Sequence, residues 1–210
     1  LDLTHVPVSG TLTASASVGG TLDAADVRGT LRGDSLVAYA EPLGTLSVDA
    51  RLADEVVRVS ALVLEKPQQG DQGHVTASGT YALDDTAYTV TLSSRNLRLE
   101  QLVLPDGTTV RGAVRVEGDG QGTVARPAGT TTIAARDLVV AGREAGDITA
   151  TIALADRSAT FDAAAERFAT SARGLVGIDA PYPGHADVEI AGLDLGALPM
   201  QTDTPLPGRL

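Results

Sequence analysis

Apolar and polar residues alternate with a period of two through most of this chain, and that pattern leaves little room for anything but β-structure. Leu46, Val48, Ala50 and Leu52 alternate with Ser47, Asp49 and Arg51. Val75, Ala77, Gly79, Tyr81 and Leu83 alternate with Thr76, Ser78, Thr80 and Ala82, and Tyr88, Val90 and Leu92 follow in the same way. The pattern returns at Val110, Gly112, Val114 and Val116, at Ile148, Ala150, Ile152 and Leu154, and at Ala186, Val188 and Ile190. Because successive side chains on a strand point to opposite sides, each segment has one apolar and one polar side. Short links rich in turn formers are predicted at Val18–Gly20, Leu83–Thr86, Pro105–Gly107, Gly118–Gly122 and Tyr182–Gly184, so the sheet should be mainly antiparallel. "DAAAERFATSAR" from Asp162 has helix-forming composition, but its strand-patterned flanks favour strand, a turn near Glu166–Arg167, and strand.

A degenerate repeat runs through the chain. "GTYALDDTAYTVTLSSRNLRLEQL" from Gly79, "GTVARPAGTTTIAARDLVV" from Gly122 and "GLVGIDAPYPGHADVEIAGLDLGAL" from Gly174 share a Gly-led strand, a turn, an alternating strand, and a kink into spaced leucines. Those tails hold Leu97, Leu99 and Leu102, then Leu138 and Val140, then Leu193, Leu195 and Leu198. Approximate units cover 10–66, 73–105, 109–142 and 146–199 of a single elongated β-repeat segment, 1–210. The strand-like start and the uncapped "TPLPGRL" end are read as those of a segment of a larger protein.

Composition narrows the function classes. A net charge of −11, with basic residues (all Arg except Lys66) scattered singly along the sequence, argues against a nucleic-acid or anionic-membrane surface. With no Cys there is no disulfide framework, thiolate nucleophile or Cys-ligated metal. The N-terminus shows no leader pattern, and no apolar run is long enough to cross a bilayer as a helix.

No constellation for catalysis can be assembled, and no cofactor or metal is expected. His5, His74 and His185 lack partners at metal-ligand spacing. There is no G-x-S-x-G, H-E-x-x-H or G-K-[ST] motif. Asp54–Glu55 and Asp84–Asp85 are adjacent pairs that turn chemistry explains. "GDGQG" resembles half of a calcium-binding turn without its nine-residue recurrence, and a tight hairpin accounts for it. Asn occurs once, at Asn96, which rules out stacked Asn ladders.

Aromatics make up 3% of the chain and Trp is absent, so the apolar side consists of small and branched aliphatics interrupted by Gly. Two arrangements fit: a tightly packed Val/Ala/Leu sandwich, or an open curved sheet whose aliphatic face stays uncovered. The first goes with a structural or adhesive surface module, the second with an apolar conduit.

The Gly-led strand, alternation and spaced-leucine tail resemble the repeats of the AsmA-like family, especially its TamB-type members, over about Gly10 to Pro199. The resemblance implies an all-β fold: a long, curved, mainly antiparallel sheet forming an open U-shaped groove, a β-taco, with a hydrophobic concave face. It implies a non-catalytic segment of a protein that spans the periplasm of a Gram-negative bacterium and is held in the inner membrane by an anchor outside this chain. Such proteins are linked to phospholipid movement between the membranes and to outer-membrane biogenesis and protein assembly. The partners implied are phospholipid acyl chains in the groove and, through regions outside this segment, an outer-membrane partner of the TamA type. The expected lining is Leu46, Val48, Val75, Tyr81, Tyr88, Val90, Leu92, Val110, Val114, Val116, Ile148, Ile152, Leu154, Val188 and Ile190, free of charged or hydrogen-bonding groups.

Overall fold

The computed structural model describes residues 7–21 and 24–191. They form one antiparallel sheet: β1 (Val8–Thr21), β2 (Ala24–Ala38), β3 (Glu41–Ala53), β4 (Val56–Lys66), β5 (Gly73–Ala82), β6 (Ala87–Arg95), β7 (Leu97–Val103), β8 (Thr109–Thr123), β9 (Pro127–Val140), β10 (Arg143–Ala155), β11 (Ser158–Ala165), β12 (Thr170–Gly177) and β13 (Gly184–Ile190). Strand order follows the sequence, except that β6 and β7 share one edge of β8. The sheet does not close into a barrel, and no second sheet covers it among the described residues. Among the described residues one open sheet stands in place of the two packed sheets that the sandwich alternative requires.

Hairpins supply the connectivity, several with turns built from non-glycine residues in the left-handed region. Tyr39–Ala40, Asp54–Glu55 and Asp156–Arg157 each have positive φ at both positions, the conformation that matches the twist of a two-residue hairpin. The expected turns at Leu83–Thr86 and Pro105–Gly107 lie between strands, and that at Tyr182–Gly184 runs into β13, whose first residue is Gly184. Two others lie within strands: Val18–Gly20 is inside β1, and Gly118–Gly122 is inside β8. In β8, Gly118, Gly120 and Gly122 alternate with the outward Asp119 and Gln121, so the glycines are small inward residues of a strand. Residues 162–173 are strand, a single 3-10 turn at Glu166–Phe168, then strand.

A line of backbone irregularities creases the sheet. Register shifts fall between Ser9 and Thr11, Gly33 and Leu36, Arg111 and Ala113, and Glu144 and Gly146. Four of the strands cross the line at a positive-φ glycine: Gly10, Gly44, Gly112 and Gly146. The chain passing back the other way uses Ser35, Asn96 and Asp137, at φ 53, 52 and 51, and each is followed at once by a leucine. Bulges of this kind bend strands and raise local twist. Leu36, just past the crease, packs towards Gly10, Gly33 and Leu12 and is 8% exposed. The crease divides the sheet into two wings.

The second wing is narrower. β4 ends at Lys66 and β5 begins at Gly73, so neither continues past the crease. β7 extends β6 beyond Asn96 and meets the start of β3 across the missing columns, through a bond from the Val103 N–H to the Tyr39 carbonyl. The leucine tails form this wing: Leu97, Leu99 and Leu102 lie opposite Val114, Gly112 and Val110, and Val140 lies opposite Val110. Leu193, Leu195 and Leu198 lie outside the described residues.

Candidate functional site

Strand register places the expected lining on one side of the sheet. Leu46 and Val48 pair with Leu64 and Leu62, and Leu64 pairs with Val75. Tyr81 pairs with Tyr88, and Ala77 and Gly79 pair with Leu92 and Val90. Leu92 then faces Gly118, and along β8 the same side carries Val116, Val114 and, past the crease, Val110. Val116 and Val114 meet Ile133 and Ala135, which meet Ala150 and Ile148. Ile152 and Leu154 pair with Phe161 and Ala159, and Val188 and Ile190 pair with Ala172 and Thr170. Fourteen of the expected residues lie on the first wing or at the crease, with Val110 on the second. The register also adds residues of the leucine tails, namely Leu97, Leu99, Leu102, Leu138 and Val140. The signal is the short polar residue just before the first leucine of each tail, Asn96 before Leu97 and Asp137 before Leu138.

This face is uncovered. Among the described residues only Leu36 and Ala135, each 8% exposed, are buried hydrophobics. Val90 is 42% exposed, Ile152 39%, Val188 60% and Ile190 53%, and the other lining residues are half-buried. A packed core of this size would bury most such side chains completely.

The relief of the face is low because the inward positions of β8 opposite β6 are glycines. Their backbone leaves no room to add bulk: a Cβ on Gly122 would meet the Arg126 carbonyl oxygen at 2.4 Å, and one on Gly118 the Thr131 hydroxyl at 2.8 Å. A Cβ on Gly79 would meet the Thr89 carbonyl oxygen at 2.3 Å. The bare Gly79 forms the floor of an open depression of about 300 Å3, walled by Val57, Val59, Leu62, Tyr81, Tyr88 and Val90. It is lined almost wholly by carbon, and what it can do chemically is hold an apolar chain.

The expectation of a lining free of charged or hydrogen-bonding groups fails at Thr131, which pairs with Gly118 and Ile152 and brings a hydroxyl to the inner rows, and more strongly at the crease. Alternation through Leu62 and Leu64 puts Lys66 on the inner side, and pairing with Ala38 puts Glu41 there too, on the second wing. Among the described residues they are the largest fully buried side chains, at 0% and 1% exposure. Their ion pair, Nζ to Oε1 at 3.0 Å, bridges the crease. The Glu41 carboxylate also accepts the Glu100 N–H at 3.0 Å and the Gln101 N–H at 2.8 Å, standing in for the missing neighbour strand of β7. Gln68 does the same, accepting the Arg98 N–H at 3.0 Å. The contact between Nζ and Glu41 is poorly aligned, so among the described residues the ammonium has no hydrogen-bond acceptor. Ser94, 4% exposed, accepts the Val116 N–H at 2.7 Å where β6 ends. These polar groups close the crease and keep the two wings together. Sequence spacing alone does not reveal the pair, because β7 meets Glu41 from 59 and 60 residues away.

Apart from Arg143, which pairs with Val140 at the start of β10, charge among the described residues otherwise lies mainly on the outer face and in the turns. Ser15 bonds Thr30 at 2.7 Å, Ser78 bonds Thr91 at 2.9 Å and Thr80 bonds Thr89 at 2.8 Å. Two Arg51 hydrogen bonds hold the Asp26 carboxyl below its usual range, and Arg157 does the same for Asp179. The Thr108 N–H lowers Asp106 in the β7–β8 turn.

None of the protein-family models, curated proteins or solved structures compared with the chain matches it.

Proposed function

We propose that the creased sheet is a non-catalytic groove that carries phospholipid acyl chains. It would serve as one segment of a TamB-type, inner-membrane-anchored protein spanning the periplasm, supporting outer-membrane biogenesis and protein assembly. The observation that carries this reading is the half-exposed aliphatic lining of a single open sheet. An acyl chain leaving a bilayer for water loses about 0.8 kcal/mol for each methylene exposed. A continuous apolar face offsets that loss along its length. Glycines and small aliphatics give contact without the polar anchors that would trap one molecule, and passage requires leaving as well as arriving.

Photo-crosslinking in cells, in the full-length protein, tests it. The reactive side chain is placed at Ile152 on the inner side and at Thr151 on the outer. Lipid adducts at Ile152 and none at Thr151 are expected. A folded, expressed protein without adducts at Ile152 would contradict the reading and favour a structural or adhesive spacer.

A further inference from the structure

We propose that the outer face at the crease is a binding site for phosphate oxyanions, built around Ala113. The arginines that look isolated in the sequence are gathered there by register. Ala113 pairs with Arg98 on β7 and with Arg136 on β9, while Arg111 and Arg115 flank it two residues away on β8, on the same side. Four arginines thus border one small residue, with the Arg115 guanidinium bonded to Glu117. Two shallow clefts meet at Ala113, of about 500 and 210 Å3; Arg98 and Arg111 line the first, Arg95, Arg115 and Arg136 the second.

Like charges on neighbouring strands are destabilising unless something compensates them. Among the described residues, Arg115 has Glu117 as an ion-pair partner, while Arg95, Arg98, Arg111 and Arg136 have none. Two carboxylates, Glu100 and Asp137, line the first cleft, and none lines the second. Charge is balanced in the first cleft, while the second holds three arginines, of which Arg115 is paired to Glu117; across both clefts five arginines face three acids, on a chain whose net charge is −11. At physiological ionic strength the Debye length is about 8 Å, so an anion over Ala113 responds to these guanidiniums far more than to distant acids. Guanidinium forks match the paired oxygens of a phosphate. The shared chemistry is that of a lipid phosphodiester or of free phosphate. The site is separate from the groove and does not depend on what the groove holds.

The test uses the full chain with vesicles of phosphatidylglycerol and of phosphatidylcholine, and inorganic phosphate titrated separately by calorimetry. The triple variant Arg98→Gln, Arg111→Gln, Arg136→Gln removes the cross. Ala113→Glu is a second variant that puts a carboxylate at its centre, and Arg28→Gln, Arg32→Gln, Arg58→Gln is the charge-matched control. Circular dichroism shows which variants keep the sheet. Binding to phosphatidylglycerol over phosphatidylcholine, weakened roughly a hundredfold in the triple variant or by Ala113→Glu and retained in the control, is expected if the source is lipid. Phosphate binding without vesicle binding, lost in the same variants, assigns the free ion. Absence of both, or equal loss in the control, overturns the proposal.

Discussion

At Gly79 and at Lys66 the same inner face is treated in opposite ways. Around Gly79 the side chains are aliphatic and aromatic, no second layer covers them, and they stay half-exposed. Around Lys66 the side chains are charged and fully buried. An ordinary globular domain has the reverse arrangement, with charge outside and aliphatics enclosed. A buried ion pair is a weak source of net stability, because desolvation offsets much of the attraction. Its use here is positional: Glu41 ties β3 to β7 where two strands are missing, and Lys66 neutralises it. Polar pins hold the wings together, and the apolar face is left free.

The comparison can be broken most easily at the crease. Glu41→Ala leaves a buried ammonium without its counter-charge and two β7 N–H groups unpaired; it should cost about 3–5 kcal/mol in urea denaturation. Glu41→Gln, which keeps an acceptor but not the charge, should cost less. A loss under about 1 kcal/mol for Glu41→Ala would mean that the wings are held elsewhere.

The next effect in size belongs to Gly44. At φ 83, with a Cβ position 2.2 Å from the Glu65 carbonyl oxygen and 2.4 Å from Pro67 Cδ, it cannot accept a side chain without backbone movement. Gly44→Ala should cost about 1–3 kcal/mol by thermal unfolding.

Ile152→Asp separates the open face from a core. At 39% exposure it should cost about 1 kcal/mol of folding stability, while acyl-chain binding weakens about tenfold from the carboxylate in the lining. A folding loss several times larger, comparable to that of Glu41→Ala, would make the inner rows an enclosed core.

The smallest effect is expected at the surface. The folded Asp26 carboxyl is held low by Arg51, so its stabilising contribution is present above the unfolded value of about 3.9 and is lost as pH falls through the lower folded value. Asp26→Asn should therefore differ from the parent slightly at neutral pH and not at all in strong acid, with added salt shrinking the difference. A difference that grows towards acid pH in urea titrations would contradict that sign.

The faces were legible because a period of two survives tertiary folding: once Val48 is inward, so are Leu46 and Ala50. The strand–turn–strand reading of 162–173 followed from its flanks. Glycine was the weak point. "VGG" and "GDGQG" read as turns because glycine permits positive φ, yet in β8 it serves mainly as the smallest inward residue opposite Tyr88, Val90 and Leu92. The crease was visible only as a kink before the leucines, since the left-handed conformation of Ser35, Asn96 and Asp137 comes from the sheet's bend and not from residue type alone. The Glu41–Lys66 pair and the arginine cross were illegible for one reason: strand register brings together residues far apart along the chain.

The most direct test of the groove uses the absence of native tryptophan. Tyr88→Trp puts a fluorophore on the inner face beside Gly79, and Thr89→Trp puts one on the outer face a residue away. Phospholipid brominated along its acyl chains is then added to each folded variant. Quenching of the residue-88 tryptophan with the residue-89 tryptophan unaffected is the expected result. Equal quenching of both, or of neither, would contradict an acyl-chain groove on this face.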